Sequence, residues 1–159
     1  MKNCQIRAGS NGGAHVLKLQ GDVRLVMCTA LDEYFERMFA EPDFLSVWVD
    51  VTEATGLDST TLGMLAKLAI STEAQFGFKP AIFSCDPSID RLLEAMGFSQ
   101  LFEVRSERCD VDCCRDLPAR NASEDEVRLK VIEAHRTLMG LNDANHAAFQ
   151  SLVMTLEAQ

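Results

Sequence analysis

Apolar and polar residues alternate from Val16 to Gln20 in HVLKLQGDV and then meet Gly21-Asp22. That is the pattern of a half-buried strand followed by a turn. Helical spacing takes over next: Leu31, Phe35, Met38 and Phe39 fall on one stripe, and Thr29 with Asp32 makes an approximate capping box at its start. This helix is expected to run to about Ala40, before Pro42. SVWVDV, from Ser46, is nearly continuous β-branched and aromatic sequence, as in a strand covered on both faces. The joint TGLDSTTLGMLAKLA follows at once and opens a second helical pattern. KPAIFSC predicts another buried strand, and Asp86 caps a helix with Pro87 at its first position. That helix turns Ile89, Leu92, Leu93 and Met96 inward and closes at Gly97. A short apolar strand spans about Leu101 to Val104. Strands alternating with helices predict an α/β fold, a sheet with helices packed against it.

Beyond Arg105 the chain turns polar and irregular up to Asn121. Ser123 with Glu126 then forms a capping box, and a helix is expected to about Met139, before Gly140. Asn142 or Asp143 can start a last helix carrying Ala148, Phe149, Leu152, Val153 and Leu156 on one stripe. The stripe is too apolar for a solvated helix, and a lone helix of that length is marginal in water. Either Val127, Val131 and Leu138 of the preceding helix cover it, or a second subunit does, which leaves a homodimer open. The short connection favours an intramolecular hairpin. The expected organisation is a core over 1–104, a polar linker or insertion over 105–122 and a C-terminal helical appendage over 123–157.

Composition narrows the function. The 159 residues are 47% hydrophobic, ample for a core, and carry a formal net charge of −9. Without a Lys/Arg cluster to track phosphates, nucleic acid is a poor partner. The N-terminus lacks the apolar stretch of a signal peptide, and no run reaches the length of a membrane span, so the expectation is a cytosolic protein with no membrane partner. Its six cysteines should then be mostly reduced. Cys4, Cys28 and Cys85 read as buried small hydrophobes. Cys109, Cys113 and Cys114 cluster in a polar segment, but C-x-x-x-C-C is not the paired spacing of a zinc site. Loop thiols are the default there, and no metal or cofactor is expected.

The joint itself holds Asp58, Ser59, Thr60 and Thr61. Ser59 reads as an N-cap, its hydroxyl satisfying a free backbone N–H. GLDSTTLG lacks the lysine and glycine spacing of a phosphate-binding loop. The three histidines, His15, His135 and His146, sit in no recognisable nucleophile arrangement, so neither catalytic residues nor hydrolase activity are expected.

VWVDVTEATGLDSTTLGMLAKL resembles the signature of the STAS domain family, the bacterial anti-sigma factor antagonists, in which D-S-[ST]-G-L-G opens a helix. HVLKLQGDV resembles the family's second strand with its Gly-acid turn, and KPAIFSCDPSIDRLLEAMGFSQLFEV its closing third. The resemblance covers about residues 1–104. It implies a small mixed sheet flanked by helices, no catalytic machinery, and a partner switch. The unphosphorylated form would bind an anti-sigma factor that is also a serine kinase. The kinase would phosphorylate the serine after the aspartate, here Ser59, and a metal-dependent Ser/Thr phosphatase would restore it. Asp58, Thr60, Thr61, Asp22 and Arg24 would form the surroundings of the phosphosite. The rival reading is a non-switching scaffold or ligand-sensing STAS module, as in stress-signalling or lipid-transport complexes.

At 100° per residue, Leu62, Leu65, Ala66, Ala69 and Ile70 point into the core, and Met64, Lys67, Leu68 and Ser71 point away. Met64, Lys67 and Leu68 are therefore expected on an exposed partner-binding face. Two departures from the family pattern stand out: Thr61 takes the place of its usual glycine, and Arg24 follows the turn where another acid is common.

Overall fold

The computed structural model describes residues 4–111 and 114–159. Gln5–Asn11 (β1) and Ala14–Val23 (β2) form an antiparallel hairpin across Gly12 and Gly13, both at positive φ. A single 3-10 turn, Leu25–Met27, leads into α1 (Cys28–Phe39). Then come β3 (Ser46–Leu57), α2 (Ser59–Phe76), β4 (Ala81–Phe83), α3 (Pro87–Met96) and β5 (Glu103–Arg105). A two-residue β6 (Arg115–Asp116), α4 (Glu124–Met139) and α5 (Asp143–Glu157) complete the chain. The six strands form one mixed sheet in the order β5-β4-β3-β2-β1-β6. β2, β3, β4 and β5 run parallel; β1 pairs antiparallel with both β2 and β6.

The two faces of this sheet are built differently. Ile6, Leu17, Leu19, Val47, Val49, Val51 and Ile82 share one apolar cluster with buried residues of α1, α2, α3 and α4. The other face holds a small cluster of Val16, Ala81, Phe83 and Cys109. Its cover comes from the irregular segment after β5, so the polar stretch is a strap across the sheet, with Cys109 as its buried anchor. Trp48 stays 38% exposed on this face, so β3 is not covered on both sides along its whole length.

Helix ends follow the sequence closely. Asp86 accepts from the Ser88 amide, Ser123 from Glu126 and Asn142 from Asn145, each satisfying an orphan N–H of a first turn. The entrance to α1 is different. Thr29 and Asp32 lie inside the helix, and its N-cap, Met27, makes no side-chain hydrogen bond. Asp32 is an ionic hub instead of a cap residue. Its carboxylate accepts from Lys67 of α2 at 3.1 Å and from Lys130 of α4 at 2.6 Å, and Lys67 also pairs with Glu133 of α4. Burial alone would raise the Asp32 carboxyl, but hydrogen bonds from Lys130 and Lys67, with their charges, hold it below the ordinary aspartate range.

A carboxyl depressed in the folded state stabilises above its unfolded pKa, and that stability is lost as the pH falls through the folded value. Asp32→Asn should therefore cost about 1.5–3 kcal/mol near neutrality, the usual worth of hydrogen bonds to a charged group. The gap between wild type and variant should close below about pH 4. Urea titrations of both proteins from pH 7 to pH 2 measure it; a gap independent of pH would mean that Asp32 does not tie the helices together.

α4 stacks on α2. The row Ser59, Gly63, Lys67 on α2, spaced four residues apart, meets His135, Ala134 and Glu133 on α4 in that order. A Cβ at Gly63 would lie 2.3 Å from the Ala134 carbonyl oxygen, so glycine is what permits this approach. Met64 and Leu68 are 2% and 0% exposed and belong to the cluster that contains Ala134 and Leu138. The expectation that they form an exposed face is thereby corrected. A helix apolar on both sides is buried on both sides, here by the sheet and by a second layer of helix.

Three further expectations change. Ile70, expected in the core, is 41% exposed, and Cys85, read as a buried hydrophobe, is exposed. The α5 stripe is covered only in part: Val153 is buried, while Ala148 and Leu152 are exposed. Cys113 lies outside the described residues.

Candidate functional site

β3 ends at Leu57 and α2 begins at Ser59, with Asp58 between them in extended conformation. Asp58, not Ser59, caps the helix. One carboxylate oxygen accepts from the Thr61 amide at 2.8 Å and the other from the Leu25 amide at 2.7 Å, so a single side chain fixes the start of α2 and the turn before α1. The capping role expected of Ser59 thus falls one residue earlier, which leaves the serine hydroxyl free of the backbone.

The three hydroxyls of the joint have separate environments. Thr60 and Thr61 are 3% and 2% exposed, and the Thr61 hydroxyl donates to the Val23 carbonyl at 3.3 Å. Thr61 therefore fills the place of the family glycine by tying α2 back to the end of β2. Ser59 is half-buried, and its Oγ lies 2.7 Å from Nε2 of His135 on α4. The other ring nitrogen of His135 lies 2.7 Å from the Val131 carbonyl, an acceptor only. Nδ1 must then carry a proton, and in the neutral ring Nε2 accepts the Ser59 O–H.

The fold thus pairs a serine with a histidine 76 positions away, which no local spacing in the sequence signals. The orienting group is a backbone carbonyl, and Asp58 spends both oxygens on amides, so the serine–histidine–carboxylate relay of a hydrolase is not assembled. What the pair does is hold the Ser59 hydroxyl against α4.

Beside the pair lies a cleft of about 760 Å³ between the start of α2 and the last two helices. Leu25, Val127, Val131, Leu152 and Leu156 give it apolar walls, with Ser59 and His135 among its polar lining. Asp58, Glu124 and Asp125 make its charge mainly negative, against Arg128.

The remaining expected residues bond to partners other than Ser59 and His135. Arg24 is spent locally, its Nε donating to Asp22 at 2.7 Å with both side chains half or more exposed. Lys67, expected to face a partner, is engaged with Asp32 and Glu133. His15 is buried between Tyr34 and Glu41, far along the sheet at the start of β2. Among the described residues, no group of three or more His, Cys, Asp or Glu side chains is arranged to hold a metal ion, and no helix is long and apolar enough to cross a membrane. Burial raises the Cys109 thiol, which makes it a poor nucleophile and a good anchor for the strap.

A mixed sheet with its helices on one face and a capped, serine-bearing helix start after the third strand defines the class of α/β module. The family model for the STAS domain matches residues 5–110, well over half of the chain, and the chain belongs to the STAS domain family. The match ends before α4, so the helix that contacts Ser59 comes from outside the matched region. Proteins of this family are generally non-enzymatic regulators, typically antagonists of anti-sigma factors. A search of curated proteins finds no match.

Proposed function

We propose that this protein is an anti-sigma factor antagonist whose partner binding is controlled by reversible phosphorylation of Ser59. In this reading its partners are an anti-sigma factor with serine kinase activity and a Ser/Thr phosphatase. The observation that carries it is the division of labour at the joint. Asp58 supplies the cap and both threonines are buried, which leaves Ser59 as the one hydroxyl there that is partly exposed, on the cleft and bonded to a side chain.

Phosphate suits the position without threatening the fold. Ser59 is the first residue of an 18-residue helix, where the dipole and free N–H groups favour an anion. In the transfer, Oγ bonds to the γ-phosphorus of ATP, the bond to ADP breaks, and the hydroxyl proton leaves to a base. The product adds about −1.5 to −2 charges next to Asp58. A surface that docks when neutral is then blocked by repulsion and by the cost of desolvating the phosphate.

Ser59→Ala should keep anti-sigma binding and lose the response to kinase. Ser59→Asp should weaken binding only in part, because it adds about one charge instead of nearly two. Binding of the anti-sigma factor to the three proteins, with and without ATP, is the test. Equal affinity for wild-type protein before and after stoichiometric phosphorylation would sink the switch. The rival, a ligand-sensing module, draws on the apolar cleft beside Ser59. It requires a small molecule that binds there and leaves Ser59 unmodified in the cell.

A further inference from the structure

We propose that the outer face of α2 is a helix-docking surface that α4 occupies in cis, so that the α4–α5 hairpin shuts the switch until it swings away. Three contacts of different chemistry lie along this face. At the phosphosite, Ser59 is held by His135 at 2.7 Å. One turn on, Gly63 admits the Ala134 backbone to a distance no side chain would allow. A further turn on, Lys67 pairs with Glu133, and Lys130 reaches past it to Asp32 at 2.6 Å. The same row of α2 therefore offers a hydroxyl, a close-approach notch and a cation.

The hairpin also controls access. Ser59 borders a cleft whose opposite walls come from α4 and α5. A cleft of about 760 Å³ has the volume of a small-molecule site. A kinase, however, carries its ATP inside its own active site, and Ser59 must enter that site to react. With His135 seated on the hydroxyl, it cannot. A protein partner faces the same obstacle, since α4 already covers the surface beside Ser59. The partner that fits is a helix resembling α4, with a small residue against Gly63 and an acid against Lys67. The accessibility part of the proposal stands on geometry alone; the part about kinase and partner rests on Ser59 being the switch.

The test uses the full chain. Ser59→Cys, whose thiol would lie against His135 under α4, is treated with a 5-kDa polyethylene glycol maleimide, and modification at position 59 is read by peptide mass spectrometry. The same is done with Lys130→Glu added, which sets a carboxylate against Asp32, and with Gly63→Leu added, which wedges the helices apart. Circular dichroism checks that each variant keeps its sheet. Labelling should be slow in the parent and at least tenfold faster in both opened variants, while Leu129→Ser, on the exposed side of α4, leaves it unchanged. Equal rates in parent and opened variants would overturn the proposal. A parent rate that rises on dilution would overturn its cis form, because α4 would then be seated from a second copy. With Ser59 restored, Lys130→Glu should also take phosphate from the anti-sigma kinase at least tenfold faster than wild type. If labelling differs but neither protein is phosphorylated, the shutter stands and the switch reading fails. If both are phosphorylated at one rate, the shutter does not govern the switch.

Discussion

Leu68→Ala should destabilise the protein by about 2–5 kcal/mol, the usual cost of emptying a buried leucine site. Leu68 is fully buried on the side of α2 that a helical wheel turns away from the sheet, in one apolar cluster with Ala134 and Leu138. For a chain of this size each kcal/mol shifts the melting temperature by roughly 2–4 °C, so a fall of about 10 °C is expected. Met64→Ala should behave alike, since Met64 is 2% exposed. The two effects will not simply add, because the side chains lie one turn apart and share neighbours. Thermal denaturation of the single and double variants settles it. An unchanged melting temperature would mean that α4 does not cover this face in solution.

Gly63→Leu should act at the same interface by the opposite route. A Cβ there meets the Ala134 oxygen at 2.3 Å, its carbonyl carbon at 2.6 Å and its Cβ at 2.7 Å. Two of those atoms are backbone, so no change of rotamer relieves the contact. Overpacking of this kind costs about 1–3 kcal/mol or more, and the cheapest relief is to lift α4 away from α2. Hydrogen exchange should therefore show amides of α4 and α5 losing protection while β2, β3 and β4 keep theirs. Uniform loss over the whole chain would show that the hairpin and the sheet are one cooperative unit. Retained protection in α4 would show that the close approach at Gly63 does not exist.

Much of this was legible because it is local. The capped starts at Asp86, Ser123 and Asn142, the stop at Gly97 and the strand pattern of β2, β3 and β4 each follow from a few neighbouring residues. The strands β1 and β6 were not legible: QIRAGSN mixes apolar with polar residues and glycine, and β6 is two residues long. The capping box read at Thr29 and Asp32 failed because an aspartate near a helix start looks the same whether it binds an amide or two distant lysines. The docking face failed for a related reason. A helical wheel separates the side facing the sheet from the side facing away, yet it cannot tell water from another helix. The available signal was that Met64 and Leu68 make α2 apolar on both sides, with Gly63 beside them as a notch for close packing. The Ser59–His135 pair spans 76 positions, and only tertiary structure brings it together.

Phosphosite mapping of the protein recovered from its native cell tests the account most directly. Asp58 caps, Thr60 and Thr61 are buried, and Ser59 is the half-buried hydroxyl on the cleft, so tandem mass spectrometry should place phosphate on Ser59 and leave both threonines unmodified. Phosphate mainly on Thr60 or Thr61 would contradict the assignment of the switch.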